Sequence, residues 1–342
     1  MRDCISHLRI KIVYYRRFEL TKPGLKPKYV KISTNPAHSR SGKSKYLRES
    51  HLQETMIIDL HIHTSTGSDG ALPVEKVIAE AHSRNITFMA ITDHDSVLAQ
   101  EKAIALTKEN GIGYITGVEL NVTFQPSQGK SVSLDFLGYN FDINNKPLVE
   151  KLQMMRERRE KRAQEILENI NIEFEKEGIA SFTGQDMQNI RNSVDGAFGR
   201  PHIAAYMIKK GIVQDTQEAF DRYLVKCDVP KYPLSLPEAS RLIHNAGGVL
   251  VLAHGNDPGG TSLAMITKDL DQQTRIISTD MLEYINGLEC WHPRHDEATR
   301  AHYLKFALEN HLIVTGGSDC HQKPIIMGSV IIPKEVAKQF QR

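Results

Sequence analysis

Short apolar runs alternate with longer helical patterns along most of the chain from Ile57 onward. Apolar runs rich in β-branched residues are typical of buried strands, and apolar residues spaced three and four apart are typical of amphipathic helices. The alternation repeats about every 25–30 residues and indicates an α/β fold, with a parallel sheet and outer helices. The predicted strands are 57–62, 87–92, 112–118, 131–139, 248–253 and 312–315, and the predicted helices are 73–84, 97–110 and 297–310.

The stretch 145–236 departs from this rhythm. It begins with a long charged helical pattern, and no buried-strand pattern returns before residue 248. We therefore predict a mostly helical insertion at 145–236 that separates two parts, 56–144 and 237–342, of one α/β domain. Long insertions of this kind usually serve an active site, so we expect a cap.

Acid and histidine residues stand at the carboxyl ends of six apolar runs. Residues i and i+2 of a strand share a face, so His61 and His63 point the same way. In (β/α) barrels the carboxyl ends of the strands meet at one rim, where we expect these side chains to gather. The candidate ligands, including one in the first loop, are His61, His63, Asp69, His94, Glu119, His254, His292, Asp319 and His321.

Imidazoles and carboxylates in this number indicate a polynuclear metal site. A single pair of histidines would mean little, but nine ligands exceed the need of one ion and suit two or three. Glu119 can bridge two of them, and Asp59 and Asp93 are expected to support the ligands from behind. Such a donor set suits manganese, iron and zinc alike. Divalent metals activate water for hydrolysis and clamp phosphoryl oxygens, so the pattern favours phosphoester hydrolysis.

Composition and charge narrow the class of protein. The apolar share of 40% and charged share of 25% are ordinary for a globular protein. No apolar run reaches the roughly 20 residues that span a bilayer, so no membrane partner is expected. The four cysteines form no CxxC pair and favour a cytoplasmic location.

The first 55 residues carry 13 basic and 4 acidic side chains, a net charge of +9 that leaves −7 for the rest of the chain. We expect this segment, 1–55, to be a poorly ordered extension, and a chain that begins at Met56 to keep full activity. A nucleic-acid-binding arm is the alternative, with the metal site purely structural.

Arg200 and His202 lie in the predicted insertion, within the segment FGRPHIA. A guanidinium fork suits two phosphate oxygens, and a structural arginine beside a proline turn is an equal alternative. The nearby basic run from Arg156 to Arg162 is interpreted as a solvated helix face.

Taken together, DLHIHT, SDG, TDHD, GVE, LAH, ECWHP and GSDCH resemble the motifs of the polymerase and histidinol phosphatase (PHP) family of metal-dependent phosphoesterases. The resemblance covers about residues 57–333 and implies a distorted (β/α)7 barrel with three metals. It assigns His61, His63, Glu119 and Asp319 to one metal. It assigns the other two metals to Glu119, His254 and His292, and to Asp69, His94 and His321.

The resemblance also implies the reaction. A hydroxide that bridges the metals, held by Glu119 and Asp319, would attack phosphorus, while Arg200 and His202 would contact the substrate phosphate. The expected substrate is a small phosphorylated metabolite, in particular a nucleoside 3′,5′-bisphosphate, AMP or a short RNA. Hydrolysis of cyclic ribose phosphates is the alternative, because the loop after His254 is long. The oligomeric state stays open.

Overall fold

The computed structural model describes residues 56–192, 200–230 and 233–341, and the predicted extension at 1–55 lies outside them. The strands are β1 Ile57–Asp59, β2 Ile86–Met89, β3 Gly113–Tyr114, β4 Gly117–Phe124, β5 Val132–Tyr139, β6 Val249–Leu252, β7 Gly287–Trp291 and β8 Ile313–Gly316. The α-helices are α1 Val74–Ser83, α2 Gln100–Glu109, α3 Lys146–Glu177, α4 Gly184–Asn192, α5 Arg200–Lys209, α6 Thr216–Ala219, α7 Leu236–Asn245, α8 Leu270–Asp280, α9 Glu297–Glu309 and α10 Glu335–Lys338. A π-helical segment, Phe220–Leu224, follows α6, and a 3₁₀ turn, Leu263–Met265, precedes α8.

The described strands form two sheets, β1-β2-β3 and β4-β5-β6-β7-β8. The prediction of an all-parallel sheet is wrong for β5, which runs antiparallel to both β4 and β6. The physical reason is the connection. Only residues 125–131 join β4 to β5, which is enough for a hairpin, whereas a parallel pair needs a crossover of about a dozen residues or more.

Hydrogen bonds connect the two sheets at both of their edges. The Leu60 N–H donates to the Gly316 carbonyl over 3.1 Å, and the Glu119 N–H donates to the Asp93 carbonyl over 3.2 Å. Between the described strands these contacts are isolated bridges rather than continuous ladders. They bring the ends of β1, β2, β4 and β8 close to one another.

The helices that cover the sheets bury one apolar stripe each. In α1 the buried residues are Val74, Val77, Ile78 and Ala81, a spacing that places them on one face of the helix. Pro73 has an extended conformation and lies just before the helix, so α1 begins one residue later than predicted. None of the described helices combines the length and apolar character that crossing a bilayer requires.

Helix α3 links two hydrophobic cores. Asn145 caps its N-terminus with a side chain that accepts the Leu148 N–H, and Gly178 caps its C-terminus in the left-handed conformation. Its first half packs through Leu152 into the core around the sheets. Its second half, from Ala163 on, packs with α4, α5 and α6 in a separate core. The described residues of the stretch predicted as an insertion are mostly helical and have apolar contacts of their own.

Candidate metal centre

Glu119 on β4 lies at the centre of the candidate ligands. Its Oε2 atom is 3.3 Å from His61 Nε2, 3.2 Å from His63 Nε2 and 3.1 Å from His94 Nδ1. Its Oε1 atom is 3.0 Å from His254 Nε2. The carboxylate is only 1% exposed. Four imidazoles from three separate strand ends therefore converge on one buried carboxylate.

Asp319, which follows β8, completes the first group of potential ligands. Its Oδ1 atom is 3.4 Å from His61 Nε2 and 3.2 Å from His63 Nε2. Both ring nitrogens are buried and have no hydrogen-bond partner of adequate geometry. Buried polar atoms are rarely left without a partner, so nitrogens aimed at carboxylate oxygens fit a metal ion. His61, His63, Glu119 and Asp319 place one donor atom each within 4.8 Å of one another.

A second group lies on the other side of His63. The Asp69 carboxylate is 3.1 Å from His321 Nε2 and 3.7 Å from His94 Nε2. The rings of His63 and His321 stack at 4.1 Å. Asp69 Oδ1 is another buried atom without a hydrogen-bond partner. His63, Asp69, His94 and His321 thus form a four-residue group, one residue more than the resemblance assigns.

The third group differs from the expected one. It comprises Glu119, His254 and Asp135 on β5. The expected member His292 lies nearby, with its ring 5.5 Å from that of His254 and its Nε2 atom 3.5 Å from Asp319. Sequence reasoning missed Asp135, although a lone acid in the apolar run VSLDFLGY was a possible signal.

Glu289 on β7 is a second residue that sequence reasoning missed. It is fully buried, its Oε1 atom is 3.0 Å from His61 Nδ1, and its Oε2 atom accepts the His254 N–H over 2.8 Å. Asp59, which was expected to orient an imidazole, instead accepts the backbone N–H groups of Ser318 and Gly328. Glu289 therefore orients His61, and Asp59 fixes the loop after β8.

Asp93 supports the site from behind the first loop. Its carboxylate accepts the Thr64 N–H at 2.6 Å and the Ser68 hydroxyl at 2.8 Å. The Ser68 hydroxyl lies 3.3 Å from His63 Nδ1, so it connects Asp93 to that imidazole. Ligand-binding histidines commonly have such a partner on their other nitrogen.

Three residues at strand ends have left-handed backbones although none is glycine. The φ angles are 47° at Asp95, 25° at His254 and 51° at Asp319. Such conformations cost roughly 1–3 kcal/mol each and cluster at functional sites, where surrounding structure enforces them. At His254 and Asp319 the side chain faces the common centre, whereas the Asp95 carboxylate pairs with Arg159.

The carboxylates and imidazoles strongly perturb one another. Burial alone would lower the pKa of the histidines, but Asp319 and Glu119 raise the pKa of His63 to about 10, and Glu119 raises that of His254 to about 9. Burial would raise the pKa of Glu119, yet His94 and His61 hold it well below its usual range. The site therefore favours positive charge at its centre, as a metal site requires.

A cavity of about 340 Å³ opens beside these groups. His94, Glu119, His254, His292 and Asp319 line one side of it. The lining also includes Asp257, Gly259, Gly260, Thr261 and Arg294. The Arg294 side chain is 62% exposed, and its Nε atom lies 3.3 Å from Asp257. A small anionic molecule would thus meet both the candidate ligands and a cation.

Arg200 and His202 are on α5 and do not line this cavity as the described residues define it. Arg200 Nη1 is 2.7 Å from Asp228, and its guanidinium lies over the Phe220 ring at 5.4 Å. Among the described residues, Arg200 therefore contacts Asp228 and Phe220 and not the candidate ligands.

The basic face of α3 is not simply solvated. Arg156 donates to the Asp95 carbonyl at 3.2 Å, and Arg159 pairs with the Asp95 carboxylate. Arg162 pairs with Asp228, the same carboxylate that holds Arg200. This arginine row (Arg156, Arg159, Arg162 and Arg200) runs from the residue after His94 into the helical stretch.

Strand ends that gather histidines and carboxylates around a shared glutamate supply the donor groups that divalent metal ions bind in proteins. The family model of the PHP domain matches residues 59–340, and the chain belongs to this family. The 5′-3′ exoribonuclease Rnm of Escherichia coli is 30% identical over 78% of this chain and 86% of its own length. The 3′,5′-nucleoside bisphosphate phosphatase of Chromobacterium violaceum is 32% identical over 62% of this chain and 72% of its own length. A solved structure from Bifidobacterium adolescentis, provisionally described as a metal-dependent phosphoesterase, is 26% identical with a TM-score of 0.64, covering 82% of this chain and 94% of that one.

Proposed function

We propose that this protein is a metal-dependent phosphoesterase that hydrolyses a nucleotide or a short 5′-phosphorylated oligoribonucleotide. The observation that carries the proposal is the convergence of His61, His63, Glu119 and Asp319 beside an open cavity. The related exoribonuclease and bisphosphate phosphatase support the substrate class, because both names describe phosphoester cleavage in nucleotides.

The donor groups fit two or three divalent ions, drawn from manganese, iron and zinc. Neutral imidazole and carboxylate donors suit all three metals, and the unpartnered nitrogens of His61 and His63 are the atoms that an ion would satisfy. When bound, such ions polarise phosphoryl oxygens and lower the pKa of water toward about 7. We assign the nine predicted ligands to these ions.

The chain itself supplies position and charge. Glu119 belongs to two of the three groups and Asp319 to the first of them, while Glu289 fixes the ring of His61. Arg294 lines the same cavity, where its charge can hold an anionic substrate group near the ligands. Groups fixed in this way need no rearrangement during the reaction.

We assign further phosphate binding to Arg200 and His202, together with the rest of the arginine row. Among the described ion pairs, Arg159 binds the Asp95 carboxylate, and Arg162 and Arg200 share Asp228. Arg156 donates to the Asp95 carbonyl. The row thus keeps an excess of positive charge that begins beside His94. A chain of phosphates leading away from the site would neutralise that excess.

We also propose that β1 to β8 form a distorted (β/α)7 barrel, with β3 and β4 acting as one interrupted strand and residues 145–236 as its cap. The hydrogen bonds between β1 and β8, and between the ends of β2 and β4, support this closure. A reducing, cytoplasmic setting is consistent with Cys227, Cys290 and Cys320, which are buried free thiols.

Phosphate release tests the proposal. With manganese supplied, we expect turnover of nucleoside 3′,5′-bisphosphate, AMP or 5′-phosphorylated oligoribonucleotide, and H61A and D319A should each lose more than about 100-fold in kcat because each removes a ligand. His82, exposed on α1, gives the control variant H82A. Near-normal rates in H61A or D319A would contradict the assignment, and preferential hydrolysis of cyclic ribose phosphates would favour the alternative reaction.

A further inference from the structure

Asp135 occupies a position that the nine predicted ligands leave out. Its Oδ2 atom lies 4.0 Å from His254 Nε2, the nitrogen that is itself 3.0 Å from Glu119. The three residues place one donor atom each within 4.8 Å of one another. Asp135 is 6% exposed, and it lines the same cavity as Glu119 and His254.

Two neutral groups fix the direction of the Asp135 carboxylate. Asn121 Nδ2 donates to Oδ1 over 2.7 Å, and the Thr261 hydroxyl donates to Oδ2. An ionised carboxylate has about four lone-pair positions, so these two bonds leave acceptor capacity toward His254 and Glu119. The carboxylate is therefore held in place without being saturated.

The charge at this position needs a cation. Asp135 and Glu119 are two buried carboxylates within one group, and His254 is the imidazole that faces both. Bringing like charges together out of water is costly unless an opposite charge lies between them. Asn121 and Thr261 carry no such charge. Of the three residues in the group, only His254 can carry one, when protonated, and a divalent ion bound to the neutral imidazole would replace that proton.

We propose that Asp135 is a ligand of the ion held by Glu119 and His254. The inference rests on the proposed metal binding and adds an oxygen donor to that ion. Thr261 then connects the ion to the cavity wall, because its hydroxyl donates to the Asp135 carboxylate and its carbonyl accepts the Asp135 N–H over 3.0 Å. Thr261 ends the loop that carries Asp257, Gly259 and Gly260 along the cavity.

Binding of Mn²⁺ alone to the full chain stripped with chelator tests the proposal. D135N keeps the shape and can keep both hydrogen bonds, but it removes the charge. We expect D135N to bind one ion per chain fewer than the wild type, or to bind that ion at least about 10-fold more weakly. D257N is the matched control, since Asp257 is 5% exposed in the same cavity but belongs to none of the three groups.

Thermal unfolding of the stripped proteins separates a ligand from a merely structural residue. The relevant quantity is the rise in unfolding temperature that added Mn²⁺ gives to each stripped protein. Stabilisation by added Mn²⁺ should be smaller in D135N than in the wild type. Unchanged Mn²⁺ binding by D135N, or a lower unfolding temperature of stripped D135N with full Mn²⁺ stabilisation, would overturn the proposal.

The fluorescence of Trp291, the only tryptophan of the chain, gives an independent measure of Mn²⁺ binding near His292. During titration with Mn²⁺, the fluorescence change of D135N should lack one phase, or show that phase at an Mn²⁺ concentration about 10-fold higher. D257N should show neither difference.

If the wild type binds Mn²⁺ but releases phosphate from no substrate, the proposed function fails while the role of Asp135 stands. If only the D135N result fails, the function is untouched.

Discussion

At the residue scale, the site depends on side chains that lie behind the candidate ligands. Glu289 contacts both the His61 ring and the His254 backbone, although it belongs to none of the three ligand groups. Asp93 reaches His63 through the Ser68 hydroxyl. These contacts select which ring nitrogen carries a proton and which faces the centre.

Replacing Glu289 by glutamine should weaken metal binding about 10–100-fold, because the His61 ring loses its charged partner. Equilibrium dialysis against Mn²⁺ measures this directly. The control is E283Q, which changes an exposed glutamate on the segment before β7. Equal Mn²⁺ affinity in E289Q and the wild type would show that Glu289 does not orient a ligand.

The stability of the chelator-treated protein should depend on pH through its imidazoles. The pKa of His63 is raised to about 10 and that of His254 to about 9, both above the usual 6.5. A group with a higher pKa in the folded chain than in the unfolded chain contributes its full stabilisation when the pH is below its pKa in the unfolded chain. This stabilisation is lost as the pH rises through its pKa in the folded chain. The free energy of unfolding should therefore fall between about pH 7 and about pH 10.

Urea unfolding at a series of pH values measures this fall. The variant H63Q should show a shallower decline, because one of the contributing groups is gone. Added Mn²⁺ should also flatten the profile, since the metal replaces the protons that the imidazoles otherwise retain. An identical profile for H63Q and the wild type would show that the His63 imidazole does not contribute to the fall.

At the element scale, the strands that end in the site could be predicted because each is an apolar run followed by polar residues. The direction of β5 could not be predicted from the same pattern, because it depends on the hairpin connection to β4, which the apolar runs do not reveal. Asp135 and Glu289 were missed for a related reason. Each is a single acid inside an apolar strand, and only the packing of β5 and β7 shows that it faces the histidines. The arginine contacts of α3 likewise depend on residues distant in sequence.

The close contact between β8 and the loop after β1 should be sensitive to one methyl group. A Cβ atom on Gly317 would lie 2.3 Å from the His61 nitrogen, which is backbone and cannot move aside. We expect G317A to lose about 1–3 kcal/mol of unfolding free energy, measured with urea, and to bind Mn²⁺ more weakly. At Gly184, which starts α4, nothing lies within 4 Å of the added atom, so G184A should be neutral or stabilising. Equal stability of G317A and G184A would show that the β1–β8 junction can relax.

At the scale of the whole molecule, α3 couples the helical stretch to the metal centre. One half of the helix packs in the core of the sheets and the other in the core of α4, α5 and α6. Arg156 and Arg159 on this helix contact Asp95, the neighbour of the candidate ligand His94. The stretch therefore contributes charge to the approach to the site and supports the loop that carries His94.

This arrangement predicts that substrate length matters. R162Q should lower kcat/KM for a 5′-phosphorylated tetranucleotide by about 10-fold, and for AMP by much less, because Arg162 lies away from the ligands along the row. Steady-state kinetics at low salt measures the difference. R158Q changes an exposed arginine of the same helix and is the control. Equal losses on both substrates would show that the row does not follow a nucleotide chain.

The sharing of ligands has a consequence for how the ions load. His63 belongs to the first two groups, and Glu119 to the first and third, so each site borrows a donor from its neighbour. If an ion occupies each group, as proposed, occupancy at one site must alter affinity at the next, and reciprocity requires the effect to be equal in both directions. A titration should consequently resolve cooperative or antagonistic steps instead of independent equilibria, and scarce metal would leave a mixture of partly filled molecules.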